Sequence, residues 1–139
     1  MHHGVPYLRE QGRGSIVIMS SINGTRTFTN EGASAYASSK AGQLAFGKML
    51  AMELAPSKIR VNVICPGGIH SNIHEKTERE NLDKIETPTE YPEGPIPLTQ
   101  GEMGDPEDVA AMAVFLLSDL ASHITGTPVW IDGAQSLLQ

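Results

Sequence analysis

A 139-residue chain with a single cysteine, Cys65, can form no internal disulfide, and the simplest expectation is a reducing, cytoplasmic setting. Nor does any apolar run reach the roughly 18 residues that a membrane-spanning helix needs. Met1-His2-His3-Gly4 leads into polar sequence, not into the apolar stretch of a signal peptide. Positive charge is short as well: 10 Lys and Arg stand against 16 Asp and Glu, for a formal charge of −6. The few basic residues are scattered. They form neither the basic stripe of a nucleic-acid binder nor a patch for an anionic membrane, so neither partner is expected. Internal repeats and low-complexity tracts are absent too. The rest is ordinary for a globular protein, 40% hydrophobic and 19% charged. The length suffices for one domain, over residues 1–139, with a core of its own.

Residues 5–12 read as a short helical stub ended by glycine. The run Ser15-Ile16-Val17-Ile18-Met19 is continuously apolar after its serine, as in a strand buried on both faces. Residues 20–32 are rich in Ser, Thr, Asn and Gly and mark a loop. A helix is expected over 33–54, stopped by Pro56. Its first half is small, from Ala33 and Ala35 to Gly42, a surface suited to close packing on a sheet or another helix. Its second half carries Leu44, Phe46, Met49, Leu50 and Leu54, with Met49 and Met52 expected as core or interface filler. Residues 59–65 form a second strand, with Val61 and Val63 on one face, broken by Pro66-Gly67-Gly68. Residues 69–104 are long, polar and proline-containing, with a helix expected over 74–86. Such a segment between core elements is typically a lid or binding loop, and substrate recognition is expected there. Asp105-Pro106-Glu107-Asp108 opens another helix, with a capping Asp and a Pro at the first helical position. Residues 128–131 read as a last short strand. This alternation argues for an α/β layer fold on a parallel sheet. Three strands are few for such a sheet, whose faces and edges need cover, so the chain reads as part of a larger unit.

Tyr36 and Lys40 stand four apart on the expected helix and therefore share a face. An ammonium beside a phenol favours the phenolate, which is one way to make tyrosine a proton donor or acceptor near neutrality. A hydroxyl pair, Ser20-Ser21, lies about fifteen residues upstream. The bland alternative is a packed tyrosine next to a solvated lysine. Elsewhere the bland reading is the expectation. His70 and His74 have no third ligand at matching spacing, so they are read as a solvated loop pair and no metal site is expected. Cys65 ends a strand and reads as a small buried hydrophobe. Asn62 is expected to tie backbone groups between strands or to the loop that follows.

Four elements occur in one order: Gly14-Ser15-Ile16-Val17-Ile18-Met19-Ser20-Ser21, Tyr36-x-x-x-Lys40, Arg60-Val61-Asn62-x-x-x-Pro66-Gly67, and Ile124-Thr125-Gly126 followed by Asp132-Gly133. Together they resemble the C-terminal half of a short-chain dehydrogenase/reductase, over nearly the whole chain. The resemblance implies a three-layer, Rossmann-like α/β fold with a parallel sheet, truncated so that the N-terminal half of the nucleotide-binding fold is missing. It implies a catalytic acid/base at Tyr36. Lys40 would favour its phenolate and hydrogen-bond the nicotinamide ribose of NAD or NADP. Ser21 would hold the substrate oxygen; it fits better than Ser20 because Ile22-Asn23-Gly24 follows it. Pro66, Gly67, Gly68 and Ile69 would border the nicotinamide, and Ser71 stands where the family usually has a cofactor-contacting threonine.

Two departures accompany the resemblance. No Gly-x-x-x-Gly-x-Gly turn follows any expected strand, so the phosphate-gripping part of a dinucleotide site is not in these residues. Asp132-Gly133-Ala134 replaces the usual double glycine. The implied activity is hydride transfer between NAD(P) and a small secondary alcohol or ketone. The alternative is a non-catalytic fragment serving as an oligomerisation or interaction module. Family members are commonly dimers or tetramers, and a homo-oligomer is expected. The strand at residues 15–19 is expected to expose an edge and both faces unless another chain covers them.

Overall fold

A computed structural model describes residues 3–28, 32–71 and 96–138. In chain order they form α1 (Gly4–Glu10), β1 (Gly14–Met19), α2 (Ser34–Leu54), β2 (Ile59–Pro66), α3 (Pro106–Leu117) and β3 (Pro128–Ile131). The strands make one parallel sheet in the order β1-β2-β3, with Ile16 opposite Val61 and Ile64 opposite Val129. β2 is central because it can be: residues 61–65 are buried without interruption, and its side chains alternate between two cores. On one face Ile59 and Val61 pack with Leu50, Ala51 and Leu54 of α2 and with Val5 and Leu8 of α1. On the other face Ile64 packs with Leu116 of α3 and with Ala121. Helices on both faces of a parallel sheet are the three-layer α/β arrangement the sequence implies.

Small residues do bring α2 onto the sheet, but they lie in its second half. A Cβ added at Gly47 would sit 2.4 Å from Val63 Cγ2. Ala35, Ser38, Ser39 and Gly42 are exposed instead. Phe46, Met49 and Met52 also face outward, Met52 at 74% exposure, which rules out the core role allowed for the two methionines. β1 keeps one edge that no described strand pairs. Its faces are half-buried, not open, because Ile16 and Ile18 join the first core and Val17 the second.

Polar groups fasten the layers. The carbonyls at a helix C-terminus lack partners within the helix. Arg60 supplies them for α3, donating to Leu116 O at 2.7 Å and to Ser118 O at 2.9 Å, and Ser15 Oγ also donates to Leu116 O. Asn62 ties β2 to the segment that leads into β3: its Nδ2 donates to Ile124 O at 2.8 Å, and its Oδ1 accepts from Thr127 N at 3.2 Å. Thr125 Oγ1 accepts from Val61 N at 3.0 Å, so the Ile124-Thr125-Gly126 element is an anchor for the last strand. At the start of α3, Pro106 takes the first helical position and Asp108 accepts from Asp105 N at 3.2 Å. Ala134 adopts φ 69°, a left-handed conformation that costs a non-glycine residue about 1–2 kcal/mol. The helix expected over 74–86 lies outside the described residues, as does most of the polar segment 69–104.

Candidate active site

In an open parallel sheet the carboxyl ends of the strands face the crevice where ligands bind. Three loops leave that edge here: residues 20–28 after β1, 67–71 after β2 and 132–138 after β3. The sequence-derived site residues lie on the first two loops, at the end of β2 (Pro66) or on the first turns of α2.

Tyr36 and Lys40 share a face of α2, with Lys40 Nζ 5.4 Å from the centre of the Tyr36 ring. Lys40 Nζ donates to Met19 O, the last carbonyl of β1, at 3.2 Å. Ser20 Oγ donates to Lys40 O at 2.8 Å. These two bonds dock the start of α2 on the carboxyl end of β1. The Tyr36 side chain is 39% exposed, open to a ligand approaching that edge.

The two serines differ. Ser20 is buried at 3% exposure, and its proton is committed to the helix backbone. Ser21 is half-buried, and its Oγ accepts from Asn23 N at 3.1 Å, leaving its own proton for a ligand oxygen. The turn that follows Ser21 is pressed against α2 beside Tyr36. Gly24 has φ +84°, and an added Cβ would lie 2.2 Å from Ala37 O.

Pro66 ends β2, and Gly67, Gly68, Ile69 and Ser71 follow it. Ile22 N donates to Pro66 O at 2.9 Å, joining the loop after β1 to this turn. A Cβ at Gly67 would overlap Asp132, at 2.7 Å from its Cβ, so only glycine lets the turn approach β3 this closely. A cleft of about 270 Å³ opens beside Gly68 and Ile69, walled by Ile96, Gly104, Ile131 and Gly133. It borders the turn and not the Tyr36 hydroxyl, so the described residues split into a corner with Ser21, Tyr36 and Lys40 and a mainly apolar cleft.

Cys65 is fully buried beneath these loops. Burial pushes its thiol up, as for a packing group and not a reactive thiolate. Among the described residues no cluster of three or more His, Cys, Asp or Glu could hold a metal ion; His74 lies outside them. Among the same residues no helix is long and apolar enough to cross a membrane.

Sequence reasoning missed the loop after β3. Arg26 lies over the Trp130 ring, 3.7 Å from its centre, and donates to Ser136 Oγ at 3.3 Å. Ser136 in turn donates to Asp132, and Gln135 Oε1 accepts from Gly68 N at 2.8 Å. No local spacing signals these contacts, since Arg26 and Ser136 are 110 residues apart.

The chain matches the family model described as enoyl-(acyl carrier protein) reductase over residues 1–134. It belongs to the short-chain dehydrogenase/reductase family. This dehydrogenase/reductase chain is 42% identical over 129 residues to the 3-oxoacyl-(acyl-carrier-protein) reductase FabG of Thermotoga maritima, covering 93% of itself and 48% of FabG. A 3-ketoacyl-ACP reductase from Sinorhizobium meliloti 1021 superposes with a TM-score of 0.87 at 49% identity, over 99% of this chain and 54% of that one. A Brucella melitensis 3-oxoacyl-(acyl-carrier protein) reductase with bound NAD superposes with a TM-score of 0.71 at 32% identity, over 93% of this chain and 43% of that one. The chain thus spans about half the length of the relatives it matches.

Proposed function

We propose that this half-fold carries the proton-transfer side of an NAD(P)-dependent oxidoreductase acting on a secondary alcohol or ketone. The observation that carries the reading is the docking of Lys40 on Met19 O, 5.4 Å from the Tyr36 ring, at the sheet edge that also bears Ser21 and Pro66. The nicotinamide, when bound, supplies or accepts the hydride. Ser21 donates its free proton to the substrate oxygen and fixes its position. The Tyr36 hydroxyl, exposed at the same edge, exchanges a proton with that oxygen as carbonyl and alcohol interconvert. Lys40 holds its positive charge beside Tyr36 and reaches the cofactor ribose.

The residues fit the nicotinamide end of a dinucleotide. Gly67 and Gly68 form a turn without side chains beside the cleft, and Ile69 closes it with an apolar wall. Ser71, exposed at the end of that turn, completes the cofactor contacts. The relatives named as ketoacyl reductases support a ketone substrate, and the NAD-bound relative supports a nicotinamide cofactor.

Titrating the purified 139-residue chain with NADH and NADPH tests this reading. The expected result is saturable binding that quenches on Tyr36→Phe less than on Lys40→Ala. Silence at millimolar cofactor would rule out the enzyme reading for the isolated chain and favour the interaction-module alternative.

We further propose a homo-oligomer, a dimer or tetramer, on the exposed face of α2. Phe46, Met49 and Met52 are apolar and outward-facing on this helix, at 49%, 56% and 74% exposure. Sedimentation is expected to show a dimer or larger species that dissociates on Met49→Glu; a wild-type monomer at micromolar concentration contradicts it.

A further inference from the structure

The loops after β1, β2 and β3 close into a ring. Ile22 N donates to Pro66 O at 2.9 Å, linking the first loop to the second. Gly67 N donates to Ile131 O at the end of β3, at 2.9 Å, and Gly68 N to Gln135 Oε1 at 2.8 Å, linking the second loop to the third. Arg26 closes the circuit from the third loop back to the first, through the Trp130 face and Ser136 Oγ at 3.3 Å. Ser136 is itself buried at 8% exposure and held by Asp132 through both its hydroxyl and its backbone N–H.

We propose that Gln135 and Arg26 are positioning residues, and that the turn at residues 132–136 sets the loop of Ser21 and the turn of Pro66 as one unit. The inference rests on the reading above that places Ser21 and residues 66–71 in the site. Two features single these residues out. Gln135 satisfies a backbone N–H at the tip of the glycine turn, where a strand ladder can no longer do so. Arg26 is half-buried and uses its guanidinium for both stacking and hydrogen bonding, a combination that lysine cannot reproduce. Neither side chain contacts Tyr36 or Lys40: Arg26 acts through the loop that carries Ser21, and Gln135 through the turn that walls the cleft.

Amide hydrogen exchange on the full chain tests the ring without needing turnover. Gln135→Leu is expected to speed exchange at Gly68 about tenfold, while Val63 and Ile64 in β2 stay within about twofold of wild type. Gln135→Glu keeps an acceptor oxygen and is expected to restore protection. Arg26→Leu is expected to speed exchange at Gly68 as well as at Ile22, although Arg26 touches neither. A Gly68 amide indifferent to Gln135→Leu, or an Arg26→Leu effect confined to residues 20–28, overturns the proposal. So does an increase spread evenly over β2, which marks a loss of global stability. Adding NADH to the same samples separates the two readings: a wild-type chain blind to NADH removes the oxidoreductase reading, while the exchange pattern still decides the ring.

Discussion

Tyr36→Phe is expected to lower turnover of a ketone substrate by about 10²–10⁴-fold, the usual contribution of a positioned acid/base. The readout is NAD(P)H oxidation under saturating cofactor. The substitution removes one oxygen from a side chain that is 39% exposed, and the hydroxyl holds no other described residue in place. Stability is therefore expected to change by less than about 0.5 kcal/mol, as at ordinary surface positions. That separation makes the test informative: a large kinetic loss at unchanged stability assigns the loss to proton transfer. Turnover by the phenylalanine variant at the wild-type rate would remove Tyr36 from the chemistry, leaving the tyrosine as packing beside a solvated lysine.

The largest effect on stability is expected from Gly24→Ala. The added methyl would lie 2.2 Å from Ala37 O and 2.8 Å from Ala37 C, which is backbone and cannot rotate aside. The residue also has φ +84°, outside the region an alanine adopts without strain. Either the loop must lift off α2 or the helix must shift, and both separate Ser21 from Tyr36. A cost of about 3 kcal/mol or more in urea unfolding is expected, at the upper end for a single methyl. Gly42→Ala is the matched control. It lies in α2 with nothing within 4 Å of the new atom, so the higher helix propensity of alanine should stabilise the chain by up to about 1 kcal/mol. Equal effects of the two substitutions would show that the close approach at Gly24 is not a constraint.

Much of the fold was legible because it depends on local pattern. The run Ile16-Val17-Ile18, the β-branched stretch of β2 and the Pro56 and Pro106 punctuation set element type within a residue or two of the observed bounds. The four ordered sequence elements were enough to recognise the family. Burial on the outer side of α2 was not legible. Phe46, Met49 and Met52 are apolar like core residues, and only the helix's orientation on the sheet puts them outside. Which small residues meet the sheet was not legible either: Gly47 packs against Val63, while Gly42 packs against nothing described.

The sequence by itself determined the elements, their parallel order and the chemical groups of the candidate site, Ser21, Tyr36 and Lys40. Those follow from periodicity and motif, which act over a few residues. Only the tertiary structure decided which serine hydroxyl is already engaged, because Ser20 donates its own to a carbonyl of α2 twenty residues away. It alone also closed the three loops through Arg26, Gln135 and Ser136. Those bonds span up to 110 residues, and nothing in the local spacing of either partner announces the other.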